Sequence, residues 1–301
     1  MNYLTIARDL VRNRFPGARA AFLAGSILTD RRTPTSDLDI VVLLTGPPAP
    51  FRESLVHEGR PVELFVQTEA DWRGFAARES AERKSPLLAM CADGVLLADA
   101  DGLGAALQAE PRERLAAGPP AVPAAELEDR RYELTDALDD FRGCADPLER
   151  TYLVADLLRR ASELALLAGG HWLGGGKWLS RRLAEAEPGL HSRLTGGATE
   201  AITGTPEGAD VFMNAVGEAL ALAGGPLWAG YQRGWGDGVR GPGRRTRPLP
   251  PDAGFPPAGR PVPTGRPRRR SWGTRNPGGS EAFRKRQTAV GGSGSGPLLG
   301  E

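Results

Sequence analysis

The sequence predicts an α+β chain: a mixed β-sheet domain with helices, then an all-α helical bundle, then a disordered tail. Three observations lead there. Strand-like apolar runs occur only up to Leu97 and are interleaved with helical periods. After Gly118-Pro119-Pro120-Ala121-Val122-Pro123 the strand signal stops and helical periods alone remain. From about residue 240 apolar periodicity is lost, so that segment cannot bury enough surface to fold. The predicted boundaries are 1–118, 124–230 and 240–301. The residues ahead of the tail suffice for two modest cores at about 100–150 residues each.

The elements follow in order. Residues 2–14 place Leu4, Ala7, Leu10 and Val11 on one helical stripe, and Pro16-Gly17 stops it. Ala20–Leu23 is a short apolar strand, and 24–36 a polar connection. Asp37–Leu44 begins alternating and becomes wholly apolar, as a strand does when it runs from an exposed site into a covered sheet. Residues 53–57 and 61–67 are two strands around the hairpin signal Glu58-Gly59. Helices are expected over 69–82, 85–92 and 101–117, with a strand at 95–97. In the bundle, 124–142 is one helix. Asp146-Pro147 caps a second that ends at Gly169-Gly170, Lys177–Ala186 is a third, and Thr205-Pro206 opens a fourth.

Charge is split along the chain. Residues 240–301 hold thirteen Lys/Arg and three acids, a net +10, whereas the whole chain is +1, which leaves 1–239 at −9. The same stretch holds 13 Gly and 11 Pro in 62 positions, without the period of three that collagen needs. No run of 18 apolar residues exists, which excludes a helical membrane span. Cys91 and Cys144 are too few for a disulfide framework and suit a reducing cytoplasm, as does an N-terminus without a signal-peptide pattern.

The chemistry concentrates in residues 23–67. Asp37 and Asp39 stand two apart on a strand, so both carboxylates project from one face, with Cα atoms about 6.6 Å apart. Such a pair can share one divalent ion or bridge two, and Mg²⁺ favours hard oxygen ligands of this kind. Gly25-Ser26 ends the preceding strand; glycine lets backbone approach a ligand closely, and the N–H groups with the Ser26 hydroxyl can hold phosphate oxygens. Glu63 shares a strand face with Phe65 and Gln67, opposite to Val62, Leu64 and Val66. If that strand lies beside 37–44, Glu63 joins the aspartates. Each of these features alone is ordinary: Gly-Ser a turn, Asp-x-Asp a solvated strand end, Glu63 an outward edge residue. Their order and their placement on strand ends make the combination informative.

Gly25-Ser26, the ten-residue gap and Asp37-x-Asp39, with Glu63 on a later strand, resemble the signature of the polymerase-β-type nucleotidyltransferase superfamily. The sheet domain followed by a bundle is similar to its small bacterial members, among them aminoglycoside nucleotidyltransferases and minimal nucleotidyltransferases that pair with toxins. The resemblance implies transfer of a nucleoside monophosphate from an NTP, with ATP the expected donor, using two Mg²⁺ and releasing pyrophosphate. It implies Asp37 and Asp39 as metal ligands, Glu63 as third ligand and general base, and Gly25 and Ser26 at the triphosphate. Glu63 stands where aspartate is common.

Gly174-Gly175-Gly176-Lys177 opens a bundle helix, and the resemblance suggests Lys177 as a further phosphate contact across the cleft; otherwise it is a solvated loop lysine. Glu163 is an alternative base. Arg31, Arg32 and Lys84 are lesser phosphate candidates. The expected acceptor is a hydroxyl on a small molecule or protein, and the acidic 1–239 segment favours a cationic acceptor over nucleic acid. A second expectation is an antitoxin-like or inactive nucleotide-binding protein acting through a protein partner or a homodimer. A third, RNA modification, needs the basic tail.

Overall fold

The computed structural model describes residues 2–203 and 206–234, all within one compact unit, Met1–Gly238. The predicted tail and Thr205 lie outside the described residues. Helix α1 (Tyr3–Arg14) starts where the Asn2 side chain accepts from Leu4 N at 3.2 Å. It is followed by β1 (Ala20–Ala24), a 3₁₀ turn (Ser26–Leu28), β2 (Leu38–Leu44), β3 (Phe51–His57) and β4 (Arg60–Thr68). Between β3 and β4, Glu58 and Gly59 both have positive φ (49° and 71°), the requirement of a two-residue turn that matches strand twist. A reciprocal capping box between Thr68 and Asp71 starts α2 (Glu69–Ala81). Then come α3 (Pro86–Ala92), β5 (Val95–Asp99) and α4 (Leu103–Ala117).

The five strands form one sheet in the order β3-β4-β2-β1-β5, with β2 and β4 parallel and the other pairs antiparallel. Alternation sorts the side chains into two layers. Leu38, Ile40, Val42, Val62, Leu64 and Val66 face α1 and its buried Ile6, Leu10 and Val11. Ala20, Phe22, Val41 and Leu43 face α2, α3 and α4 through Trp72, Leu88 and Leu107. Both sides of β2 are covered along most of its length, which is why its sequence turns wholly apolar after Asp39.

Beyond residue 123 come α5 (Ala124–Gly143), α6 (Pro147–Ala168), α7 (Lys177–Ala186), α8 (Pro188–Thr203) and α9 (Pro206–Leu222), around a separate core that includes Leu134, Phe141, Leu157, Leu194 and Phe212. Asp146 Oδ1 caps α6 by accepting from Leu148 N and Glu149 N. Among the described residues, the expectation of four bundle helices is corrected to five. The missed helix, α8, carries Gly196-Gly197 and several threonines, residues of low helix propensity. It is stabilised by burial of Leu190, Leu194, Ala198 and Ala201. Gly197 lets α8 and α9 approach closely: a Cβ there would lie 2.8 Å from Phe212 N.

Two residues tie the bundle to the sheet. Arg83, 8% exposed, donates to Pro120 O and to both carboxylate oxygens of Glu126, and its own carbonyl accepts from Leu173 N at 2.8 Å. Trp172 is buried in the sheet-side core and donates through Nε1 to Leu115 O at 3.0 Å. These contacts fix the segment that runs directly into Gly174–Lys177. Among the described residues no helix is long and apolar enough to cross a membrane.

The two glycines of α8 should respond oppositely to alanine. Gly196 is exposed with open space around it, so Gly196→Ala should stabilise by up to about 1 kcal/mol through helix propensity. Gly197→Ala meets the Phe212 backbone and should cost about 1–3 kcal/mol. Urea denaturation of the two variants checks the pair; equal effects would contradict the close α8–α9 approach.

Candidate functional site

The site is built from the edges of three adjacent strands. Asp37 immediately precedes β2 and Asp39 is its second residue. In the parallel β2–β4 pair Asp39 stands directly opposite Glu63, and in the β1–β2 pair it stands opposite Ala24. One carboxylate oxygen from each of Asp37, Asp39 and Glu63 lies within 4.8 Å of the others, and all three residues are half-buried. The three expected carboxylates are thus brought together on the face that, further along the strands, packs under α2–α4.

Gly25 follows β1 with φ +87°. A Cβ at this position would sit 2.0 Å from Asp39 Oδ2, so no other residue fits without moving that carboxylate. The glycine is needed twice, for its backbone angle and for its missing side chain. The Ser26 hydroxyl is buried and paired with Ser36 Oγ at 3.0 Å; Ser36 Oγ also accepts from Thr33 N at 2.9 Å. This clasp joins the two ends of the connection beside Asp37. Ser36 is a positioning residue that no motif announced.

Arg52 on β3 is the other residue the sequence reading missed. It donates to Glu63 Oε1 from Nε at 2.9 Å and from Nη2 at 2.5 Å, and its guanidinium lies over the Phe65 ring, 4.9 Å from the centroid. Ser54, opposite Glu63 in the β3–β4 register, contributes a long third contact of 3.4 Å to the same oxygen. A signal existed: a two-residue hairpin fixes register, and counting back from Glu58-Gly59 puts Ser54 opposite Glu63 and Arg52 opposite Phe65.

Lys177 is the first residue of α7, exposed, behind Gly176 with φ +52°. Its charge is felt at Asp39, as is that of Arg52. The other candidates lie elsewhere in the network of contacts. Glu163 accepts from Arg130 and Arg159 within the bundle. Lys84 pairs with Glu82 at 3.0 Å, and Arg31 and Arg32 are exposed on the connection.

Burial, followed by the charges of Asp37 and Glu63, pushes the Asp39 carboxyl up from 3.8 to about 7, against the smaller pull of Lys177 and Arg52. The cluster therefore holds more negative charge than its own cations offset. Three hard oxygen donors with that deficit fit a divalent ion such as Mg²⁺.

No family model matches the chain, and no curated protein matches it. Among solved structures it is similar to a nucleotidyltransferase-like protein from Exiguobacterium sibiricum 255-15. The TM-score is 0.39 at 11% identity, over 74% of this chain and 77% of the other.

The raised Asp39 pKa has a stability consequence. Below pH 3.8 the carboxyl is protonated folded or unfolded; between 3.8 and about 7 only the folded chain keeps the proton. The stability gained from that proton is lost as pH rises through about 7. Metal-free Asp39→Asn should therefore match the wild type near pH 4 and become progressively more stable than it toward pH 8. For a chain of this size each kcal/mol moves Tm by about 2–4 °C. Mg²⁺ should narrow the gap at pH 8. Thermal melts across that range check this, and a pH-independent difference would contradict it.

Proposed function

We propose that this chain is a Mg²⁺-dependent nucleotidyltransferase that moves a nucleoside monophosphate from an NTP, with ATP the expected donor, to a hydroxyl on a small molecule or protein. The observation that carries the reading is the set of three carboxylates within 4.8 Å beside a glycine pressed against one of them. Charge repulsion makes such a set costly without cations, and a register that places Asp39 opposite Glu63 makes it unavoidable.

Asp37, Asp39 and Glu63 would hold the metal. Bound Mg²⁺ supplies neutralisation of phosphate charge and lowers the pKa of the attacking hydroxyl. The space that a side chain on Gly25 would fill is taken by the Asp39 carboxylate, so what the Gly25 turn would offer phosphate oxygens is its backbone N–H groups. The Ser26–Ser36 clasp holds that turn against the Asp37 end of β2. Lys177 offers a positive charge to the triphosphate from the bundle side of the site. Glu63, held through one carboxylate oxygen by Arg52, would take the acceptor's proton.

A second reading, action through a protein partner, is favoured by one feature. Leu148 and Tyr152, four residues apart on α6, are 77% and 81% exposed. Two large, largely apolar side chains on one exposed helical face offer a contact for another protein.

Calorimetry with each of the four NTPs in the presence of Mg²⁺ tests the first reading. The full chain should bind at least one NTP, and Asp37→Asn with Asp39→Asn should weaken that binding by 100-fold or more. Gly25→Ala should do nearly as much by displacing Asp39. Absence of binding to any NTP would remove the enzymatic reading and leave the partner reading.

A further inference from the structure

The row of side chains that begins at Glu63 continues along β4 through Phe65 to Gln67, each step about 6.6 Å along the strand. Beyond the carboxylates this row enters a cavity of about 520 Å³. Phe51 and Arg52 of β3 line one side, and Phe75 and Glu79 of α2 line another, with α3 contributing further apolar wall. Arg52 belongs to both places, since it lines the cavity and also donates to Glu63. The cavity is therefore the extension of the carboxylate site toward the β3 edge of the sheet, on the opposite side from Gly25.

Its polar groups are informative. Gln67 is 8% exposed, and its Oε1 has no hydrogen-bond partner among the described residues. Buried acceptors are almost always paired, and an unpaired one is a standing cost to the fold. Glu79 accepts from Leu87 N at 3.0 Å, and burial raises its pKa against the smaller pulls of that hydrogen bond, Arg78 and Lys84. Arg52, the cation of the lining, is already engaged by Glu63 and Phe65. What remains for a ligand is an apolar, aromatic wall and two acceptors, which suits a ring carrying an amine.

We infer that this cavity is the acceptor pocket of the proposed transferase, and that the acceptor is a hydroxylated aromatic amine. The inference rests on the nucleotidyl-transfer reading. The amine meets Gln67 Oε1 and Glu79, the ring lies against Phe65 and Phe75, and the hydroxyl points toward Glu63. Four residues of strand separate Gln67 from Glu63, about 13 Å; less the reach of the side chains, the hydroxyl-to-amine span is about 6–10 Å. In the reaction the hydroxyl oxygen forms a bond to the α-phosphorus of the NTP. The bond from that phosphorus to the α,β-bridging oxygen breaks, pyrophosphate leaves with the electron pair, and the hydroxyl proton passes to Glu63.

Tyramine has this span and serves as the probe, with 4-ethylphenol (no amine) and phenethylamine (no hydroxyl) beside it. Binding to the full chain is read by calorimetry, and transfer by pyrophosphate release with Mg²⁺ and NTP. Tyramine should bind at least 10-fold more tightly than 4-ethylphenol. Gln67→Met and Glu79→Gln should each weaken tyramine about 10-fold while leaving Mg²⁺–NTP binding unchanged. Gln67→Met should keep or raise the Tm, because it removes the unpaired acceptor, so lost binding cannot be assigned to unfolding. Phenethylamine should bind but release no pyrophosphate. If Mg²⁺–NTP binds but tyramine does not, or binds equally to both variants, the acceptor pocket is overturned and the transferase reading survives. If tyramine binds with the expected variant sensitivity but no NTP binds, the acceptor role is overturned together with the transferase reading.

Discussion

The parallel pairing of β2 with β4 is the constraint on which the rest of the structure depends. It places Asp39 opposite Glu63, and it does so through residues that have nothing to do with chemistry. Leu38, Ile40, Val42, Val62, Leu64 and Val66 are all at most 2% exposed and all on the α1 side of the sheet. A slip of β4 by one residue would send Val62, Leu64 and Val66 to the wrong face and turn Glu63 away from the aspartates. Apolar burial thus enforces a juxtaposition of carboxylates that electrostatics alone would oppose. The opposition is visible in Asp39, whose carboxyl is pushed up to about 7, chiefly by burial.

The bundle matters to the site through its attachment rather than through its own core. Arg83 and Trp172 bind the chain on either side of α3 and α4 to the start of the bundle and to the segment before α7. That segment runs into three glycines and then Lys177, whose charge reaches Asp39. The flexible-looking Gly174–Gly176 stretch is therefore anchored at its upstream end. At its downstream end it enters α7, where a Cβ on Gly174 would lie within 2.5 Å of the Trp178 backbone. Lys177 is thus presented from a defined position within electrostatic reach of Asp39.

Much of this was legible in the sequence, and what was not has physical reasons. The carboxylates were legible because period-two alternation assigns strand faces without reference to neighbours, and the Glu58-Gly59 turn announces its hairpin. Arg52 escaped because no motif contains it; its role depends on cross-strand register, which the hairpin encodes but only by counting. Ser36 escaped because a serine clasp across a polar connection has no periodic signature. Helix α8 escaped because the residues that let it pack against α9, Gly197 above all, are the ones that lower helix propensity. The Gly25–Asp39 contact was only half legible: the glycine suggested a turn or close approach, but its partner was taken to be a ligand, and in the structure it is a carboxylate.

Three departures from local consistency share one face of the sheet. Gly25 holds a left-handed backbone against Asp39, Asp39 is a buried carboxyl beside two others, and Gln67 keeps an unpaired buried oxygen. All three lie along one face of the sheet, from β1 across β2 to β4, whereas the α1 face is uniformly apolar and well covered. Sequences that fold to one structure are consistent at every level except where function demands otherwise. Arg52 supplies the physical connection between the two ends of that set of three, since it holds the carboxylate cluster with its guanidinium and lines the cavity of Gln67 with the same side chain. The metal-fitting cluster and the apolar cavity therefore read as two parts of one surface, with charge concentrated at the β1–β2 end and aromatic burial at the β3–β4 end. Under the proposed transferase reading, a metal held by the carboxylates would turn that end toward an anionic nucleotide, and the apolar cavity with its buried acceptors would take the amine-bearing acceptor.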